Sequence, residues 1–271
     1  MRATSNFGQL GASILFALIS FVLIPRAQAG SLEFIQNGSF ETLTAGNTLG
    51  ATGGYVCRNT GNGTCTSNVA SWSSTCQGTS CGTGGTPDSI LFGGSGGSAF
   101  NGGNGLYAQG QNGLQTNVPV PDSPSKGNYL GFDGDPAFSA SIFQTITGLA
   151  PNTLYVLSFY QGAGQQKGSA SPGVTTTEYW KVSFAGQTKN STVMNNATAG
   201  WVPWSQQVLT FISGATGTET LSFLSQGTPA GMPPIVLLDG VSLTAAPEPQ
   251  TFALIGIGLV AIPFLNRKRK A

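Results

Sequence analysis

The acidic side chains are the groups in this sequence that could perform acid–base chemistry. The chain has ten Asp and Glu residues and no histidine. The lack of histidine removes the commonest general base and the commonest transition-metal ligand, and it excludes Ser-His-Asp and Cys-His catalysis. Hydrolysis of a glycosidic bond needs only two carboxylates that face each other at about 5–10 Å. Glu178, beside Tyr179 and Trp180, is the strongest candidate for such a role, although its position at the start of a strand explains it more simply.

A second acidic pattern is Asp133-Gly134-Asp135, in which two carboxylates lie two positions apart. Either could bind calcium, because Ca²⁺ prefers oxygen ligands. An Asp-Gly turn, in which the carboxylate bonds nearby backbone amides, explains the motif as well. Both interpretations stay open from the sequence.

Exposed aromatic rings could bind sugars by stacking. Trp201 and Trp204 lie where a loop enters a strand, and either ring could face a ligand. Packing under the edge of a sheet is the alternative for both. Trp180 differs, because it alternates with Val182 and Phe184 as the core-facing residues of a strand do.

The four cysteines are Cys57, Cys65, Cys76 and Cys81. In an oxidising compartment an even number indicates disulfides, and three connectivities are possible. We favour Cys57 with Cys65 and Cys76 with Cys81, since each bond would close a small loop in a stretch with too few apolar residues to be held by burial. Zinc is the alternative, but seven and four intervening residues are not usual zinc spacings.

The first 29 residues have the layout of a secretory signal peptide. Arg2 supplies a positive start, residues 14–24 form an apolar run, and Ala27-Gln28-Ala29 is a small-x-small cleavage site before Gly30. A permanent N-terminal anchor is the alternative, but the apolar run is short. The sequence therefore predicts export across the inner membrane, with signal peptidase as a processing partner.

Residues 30–244 form a mature body that is long enough for one domain. This body has nine acidic and five basic residues, and nine minus five gives a net charge of −4. An acidic body without a Lys/Arg cluster argues against nucleic acid as a partner. Charged residues are only 8% of the chain and glycine accounts for 40 of 271 residues, which is typical of exported β-proteins with many turns.

Short stretches of alternating apolar and polar residues predict β-strands in the second half of the body. The clearest stretches are residues 128–132, 140–146, 154–160, 180–184, 204–212, 220–224 and 235–243. Residues 43–125 are rich in Gly, Ser, Thr and Asn and predict short strands joined by long, disulfide-stapled surface loops. No helical period is present in the body, and parallel strands would need crossover helices. The fold class predicted is therefore all-β, an antiparallel β-sandwich.

The C-terminal residues 245–271 follow a different, three-part pattern. Pro247, Glu248 and Pro249 break regular structure, residues 251–265 carry no charge, and a basic run follows, composed of Arg267, Lys268, Arg269 and Lys270. A helix over the uncharged residues would span about 22 Å, less than the ~30 Å hydrocarbon core. This pattern indicates a transient membrane anchor. A buried C-terminal helix is the alternative, but consecutive cations could not follow it into a core.

The three-part tail resembles the PEP-CTERM sorting domain of Gram-negative bacteria that secrete exopolysaccharide. The resemblance implies that a membrane peptidase, exosortase, recognises Pro247-Glu248-Pro249 and cleaves near it. The protein would then be released to the cell envelope or beyond. Pro263, inside the apolar helix, departs from the family pattern and would kink the helix near its basic end.

Three segments of the body resemble the galactose-binding-like jelly rolls of carbohydrate-binding modules. They are residues 37–41 (Asn-Gly-Ser-Phe-Glu), 143–159 and 237–243. The resemblance implies a structural calcium ion held by one acidic residue from the first strand and one from the last, where Glu41 and Asp239 occupy the matching positions. Bonding of both carboxylates to backbone amides is the alternative. No other cofactor is expected.

These features predict an exported, exosortase-sorted, non-catalytic protein of the cell envelope or the extracellular polysaccharide matrix, associated with glycans. The first alternative is a carbohydrate-binding module with a specific sugar ligand. The second alternative is a hydrolase that acts on polysaccharides.

Overall fold

The computed structural model describes residues 32–44, 56, 64–65, 67–76, 89–93, 106, 122–165, 174–231 and 234–247. The signal peptide predicted at residues 1–29, the apolar segment 251–265 and the basic residues 267–270 lie outside these ranges, as do Glu248 and Pro249. Pro247 is described, and it is exposed and without regular secondary structure. No helix within the described ranges is long and apolar enough to span a membrane.

The described residues form β-strands without a helix. The strands are β1 Thr64–Cys65, β2 Ser73–Cys76, β3 Ser89–Gly93, β4 Asn128–Asp133, β5 Ala140–Thr147, β6 Leu154–Gln165, β7 Thr176–Phe184, β8 Gln187–Asn190, β9 Met194–Asn196, β10 Trp201–Ile212, β11 Thr218–Thr228 and β12 Pro234–Ala245.

The strands build two antiparallel sheets. A seven-stranded sheet has the order β1-β2-β5-β11-β7-β8, and β9 pairs with β7 beside β8. A five-stranded sheet has the order β10-β6-β12-β4-β3. These sheets confirm the prediction of an all-β antiparallel sandwich. The predicted terminal helices fall outside the described residues.

Alternating burial explains why these segments are strands. On β7, Glu178, Trp180, Val182 and Phe184 are buried, whereas the residues between them are exposed or half-buried. Side chains on a strand point alternately to opposite faces, so one row enters the space between the sheets. β6 continues to Gln165 and β10 begins at Trp201, so both strands are longer than their apolar patterns predicted.

The main core lies between the sheets and is rich in aromatic rings. The rings of Phe159 and Phe223 are 5.1 Å apart and those of Trp180 and Phe223 are 6.0 Å apart, in both cases edge to face. Trp180 Nε1 donates a hydrogen bond of 2.9 Å to the carbonyl of Leu237 on the opposite sheet. Trp180 is therefore a core residue, as its periodicity predicted.

The N-terminal segment of the body runs beside β12, the last strand. Glu33 forms an isolated bridge with Thr244, and the Phe34 amide donates to the Leu243 carbonyl at 3.0 Å. The resemblance implies a first strand in this segment. Within the described residues, that strand is reduced to the single bridge between Glu33 and Thr244. The contact fixes the start of the body against a central strand of the five-stranded sheet.

The cysteine pairing stays a prediction. Cys65 ends β1 and Cys76 ends β2, and these two strands pair with Thr64 opposite Thr75. Cys57 and Cys81, the partners favoured for them, lie outside the described residues.

Candidate functional site

The structure brings together Glu41 and Asp239, the two acidic residues predicted to bind calcium. Glu41 ends the segment that runs beside β12, and Asp239 lies on β12. The Val241 amide on β12 donates a hydrogen bond of 2.9 Å to the Gly38 carbonyl, and the negative charge of Glu41 adds to the raised pKa of Asp239. The pairing of the first and last segments of the body therefore creates an acid pair, the name used below for Glu41 and Asp239.

Glu41 is held against the start of β4. Its Oε1 accepts a hydrogen bond of 2.6 Å from the Asn128 amide, and Asn128 Nδ2 donates to the Phe40 carbonyl at 3.2 Å. Gly127 has a positive φ of 69°, and a Cβ at this position would overlap the Glu41 carboxylate. The glycine therefore allows the carboxylate to lie directly on the backbone.

Asp239 occupies an irregular part of β12. The pairing of β12 with β6 shifts register between Asp239 and Ser242, and Gly240 in this bulge has a positive φ of 57°. Asp239 Oδ1 accepts a hydrogen bond of 2.6 Å from the Gly240 amide. Its Oδ2 is buried and has no hydrogen-bond partner in the part of the chain that the structure describes.

Burial dominates the electrostatics of the acid pair. It raises the pKa of Asp239 to about 7, and the nearby Glu41 carboxylate adds to this effect, while hydrogen bonds from the Ser123 side chain and the Gly240 amide oppose it. Burial also raises the pKa of Glu41, and the Asn128 amide opposes that shift. Asp239 is fully buried, whereas the Glu41 side chain is exposed. Because like charges repel each other, the negative charge of Glu41 disfavours loss of the Asp239 proton, and a bound cation would favour it.

The ligand chemistry of the acid pair fits a hard cation. Its carboxylates provide oxygen ligands, and the unpartnered Oδ2 of Asp239 lacks the positive or donor group that a buried carboxylate oxygen requires. No cluster of three or more Asp, Glu, His or Cys side chains able to hold a metal exists within the described ranges. Calcium at this pair would therefore take its remaining ligands from hydroxyl groups, backbone carbonyls or water.

A second hydrophobic cluster lies on the outer face of the five-stranded sheet. Ile235 and Leu237 belong to it, and they alternate along β12 with Val236 and Leu238 of the main core. We call the rings in this cluster the outer aromatic face; they are Tyr129, Trp201 and Trp204. The Trp204 ring meets Tyr129 at 5.4 Å and Trp201 at 6.1 Å, both edge to face.

The two tryptophans predicted to stack on sugars differ in exposure. Trp201 is only 9% exposed and packs in the cluster, whereas Trp204 is half-buried. Gly162 and Gly164 form the floor beneath them, since a Cβ at Gly162 would contact Trp204 at 3.4 Å and one at Gly164 would contact Trp201 at 3.5 Å. Trp204 is therefore the more exposed ring of this pair.

Glu178, the residue considered for glycoside hydrolysis, points into the sandwich. It is fully buried, and Thr176 Oγ1 donates a hydrogen bond to its Oε1. Burial raises its pKa to about 8, opposed by Thr176 and by the neighbouring Asn196 side chain. Neither polar atom of that Asn196 amide meets the geometry of a hydrogen bond, and Glu178 Oε2 is also unpartnered within the described residues. No second carboxylate contributes to its pKa shift.

The Asp133-Gly134-Asp135 motif forms a turn. Asp133 Oδ1 accepts a bond of 2.8 Å from the Asp135 amide, and Asp135 Oδ1 accepts one of 2.8 Å from the Ala137 amide. Asp135 Oδ2 accepts a bond from the Gly231 amide. Because both carboxylate oxygens of Asp135 bind backbone amides, the turn interpretation accounts for this motif.

Sequence reasoning missed the residues that support both sites. Ser123 and Asn128 flank the acid pair, and neither follows a pattern that marks a ligand or a positioning residue. Gly162 and Gly164 could have been found, because a Gly-x-Gly within an otherwise alternating strand indicates close approach of another group.

Comparison with known structures shows similarity to carbohydrate-binding modules. The chain is 14% identical to TmCBM61, solved in complex with β-1,4-galactotriose, with a TM-score of 0.39 and coverage of 80% of this chain and 100% of that one. It is 14% identical to a CBM4 module, with a TM-score of 0.34 and coverage of 78% and 99%. It is 10% identical to the active domain of tailspike protein 4 of bacteriophage CBA120, with a TM-score of 0.36 and coverage of 79% and 21%.

No curated protein matches the sequence. The C-terminal tail does match a defined family: residues 245–270 match the PEP-CTERM protein-sorting motif. This match confirms the sequence prediction for the tail, and it marks the chain as one that carries an export-linked sorting signal.

Proposed function

We propose that this chain is an exported, non-catalytic protein that binds glycans in the cell envelope or the extracellular polysaccharide matrix. The sorting motif at residues 245–270 supports export and processing by exosortase. The half-buried Trp204 ring on the outer aromatic face carries the glycan-binding part of the proposal.

Trp204 has the properties of a sugar-stacking platform. Its edge contacts with Tyr129 and Trp201 and its glycine floor fix the ring in one orientation, so little conformational entropy is lost when a ligand binds. Gln206, two residues along β10, is exposed and pairs with half-buried Tyr160 on the same face. An amide and a phenol beside a ring can bond the hydroxyl groups of a stacked sugar.

The acidic residues support a non-catalytic role. A glycosidase needs two carboxylates that reach substrate, but Asp239 and Glu178 are both fully buried. Other carboxylates bond the backbone: Glu33 accepts from the Ile35 and Leu243 amides, and Glu219 accepts from the Gly214 amide. The positions of these four acids therefore favour roles in the fold.

Calcium at the acid pair would be a structural ion in this proposal. Glu41 and Asp239 would hold it, and its positive charge would oppose the burial that raises the pKa of both carboxyl groups. The ion would fasten the N-terminal segment to β12. It would supply no chemistry to the ligand.

A glycan array tests the proposal. We would apply the full-length chain, solubilised in a detergent without a sugar headgroup, to neutral and anionic oligosaccharides with calcium and with EGTA. Trp204→Ala should weaken the affinity for the bound glycans at least tenfold, which corresponds to about 1.4 kcal/mol. Val208→Ala is the matched control, since Val208 also lies on β10 and is 59% exposed. If no glycan is retained by the wild-type chain, the proposal is wrong.

A further inference from the structure

A polar groove of about 590 Å³ opens at one edge of the seven-stranded sheet. It shares no residue with the acid pair or the outer aromatic face. β2 pairs with β5 only from Ser73, opposite Phe143, to Cys76. Among the described residues, no strand pairs with residues 144–147 of β5 on that side. The groove lies in this opening, and its volume is within the range of about 300–1,000 Å³ that is usual for ligand sites.

The floor of the groove is fixed by one glutamine. Gln144 Nε2 donates to the Gln36 carbonyl at 2.8 Å and to the Ser71 carbonyl at 2.9 Å, and its Oε1 accepts from the Gln36 amide at 2.9 Å. Gln144 is 5% exposed, and all of its amide hydrogens are used. The floor is thus pre-organised by three separate segments of the chain.

Several groups on the walls of the groove remain free for a ligand. Gln36, Ser73 and Thr145 are exposed, and within the described residues no partner is found for Gln36 Nε2, Ser73 Oγ or Thr145 Oγ1. Phe143, which is half-buried, pairs with Ser73 and shares one face of β5 with Thr145. Hydroxyl and amide groups around an aromatic ring match the surface of a sugar, which presents hydroxyl groups at its edges and C–H groups on its faces.

The charge of the groove restricts the class of ligand. None of the ten described residues that line it is acidic or basic, so these residues offer no cation to a phosphate, sulfate or uronate. We propose that this groove is a second glycan-binding site, independent of Trp204, that takes a neutral polysaccharide chain. The ligand class rests on the proposed function, but the site does not depend on the outer aromatic face.

Two sites on different sheets would give the protein a cross-linking activity. Trp204 lies on the five-stranded sheet, whereas Phe143 and Thr145 lie on the seven-stranded sheet. A protein molecule that binds one polysaccharide strand at each site would connect the two strands. Because both sites are on one molecule, the overall avidity exceeds the affinity of either site without any new contact.

Thr145 and Thr147 provide a matched pair of variants for the test. Both are exposed threonines on the same face of β5, but only Thr145 lines the groove. Thr145→Arg should block the groove, and Thr147→Arg adds the same side chain outside it. We would titrate the full-length chain and each variant with cellohexaose, xylohexaose and β-1,4-galactohexaose by calorimetry, with an alginate hexamer as the anionic probe, and measure aggregation of the matching polymers by light scattering.

The expected result is a neutral probe that binds the wild-type chain at two sites. Thr145→Arg should remove one of the two binding sites and reduce the light scattering of the polymers at least tenfold. Thr147→Arg should change neither the number of sites nor the scattering. Trp204→Ala should remove the other site. Equal binding by the two arginine variants, or preference for the anionic probe, overturns the groove proposal and leaves the Trp204 site standing. If Thr145→Arg alone abolishes binding, the groove is right and the Trp204 assignment is wrong. If no probe binds the wild-type chain, both proposals are wrong.

Discussion

Replacement of Glu178 by glutamine should make the protein more stable at alkaline pH. The carboxyl group is fully buried on β7, and burial raises its pKa from 4.5 to about 8. The folded chain therefore binds the proton more tightly than the unfolded chain does. Stability is complete below pH 4.5, falls as the pH rises towards 8, and stays reduced above that pH.

The structure sets the size of this effect. A shift of one pKa unit corresponds to 1.36 kcal/mol, so a shift from 4.5 to about 8 lowers the free energy of unfolding by about 5 kcal/mol in total. Between pH 5 and 8 the expected slope from this one group is roughly −1.4 kcal/mol per pH unit. Glutamine has nearly the same shape and no charge, so the variant should lack this slope.

Urea unfolding followed by tryptophan fluorescence measures the difference. We would record the free energy of unfolding of wild type and Glu178→Gln at each half unit from pH 5 to 9. The difference between the two proteins isolates Glu178 from other titrating groups. Glu219→Gln, on the neighbouring strand β11, controls for the loss of one negative charge. Parallel curves for wild type and Glu178→Gln over the whole range would refute the reasoning.

Four further predictions concern the ion, the tail and the cysteines. Calcium should raise the melting temperature of the full-length chain and increase the protection of the Asn128 and Val241 amides against hydrogen exchange, and Asp239→Asn should abolish both effects; an equal shift in the variant would contradict the calcium assignment. Because burial raises the pKa of Asp239 to about 7, apparent calcium affinity should increase as the pH rises from 6 to 8, when the carboxyl group loses its proton. A host with exosortase should release a protein whose mass lacks Arg267–Lys270, whereas a host without it should retain them; an intact tail on the released protein would count against cleavage. Non-reducing peptide mapping should find Cys57 linked to Cys65 and Cys76 to Cys81, and a peptide that joins Cys65 to Cys76 would show the pairing to be wrong.

The sequence was most informative where one face of a strand is buried. Trp180, Val182 and Phe184 alternate with polar residues, and the structure places all three in the core. Strands without such contrast were missed. β8 consists of Gln187–Asn190, and its exposed and half-buried polar side chains pair with β7 without any apolar pattern to mark them.

The acid pair shows what a sequence motif can and cannot establish about a site. The resemblance predicts that the segments around Glu41 and Asp239 lie side by side, and the hydrogen bond from the Val241 amide to the Gly38 carbonyl agrees with this; calcium binding there stays a prediction. The pKa values of the two carboxyl groups depend on burial and on opposing hydrogen bonds from a third region, Ser123 and Asn128, which no periodicity connects to either half. The raised pKa of Asp239 could therefore come only from the folded structure.

The exposure of the tryptophans was the least predictable property. Trp201 and Trp204 are three residues apart and were equivalent from the sequence. A register shift between Val202 and Ser205 in the pairing of β10 with β6 separates their environments, so Trp201 is buried and Trp204 is half-buried. Bulges depend on both paired strands, and the sequence of one strand does not specify them.

The end of β12 determines how the sorting motif is presented. β12 lies between β6 and β4 and ends at Ala245, and the Ala246 amide still donates to the Leu154 carbonyl at 2.8 Å. Pro247 follows directly and is exposed, so the folded body holds the chain up to the residue before the motif. A peptidase that acts in the membrane would meet Pro247-Glu248-Pro249 next to a folded domain, with the fixed φ of proline limiting further pairing. Cleavage beyond Pro249 would then leave β12 intact, so release should cost the domain none of the contacts that hold Asp239 and the outer aromatic face.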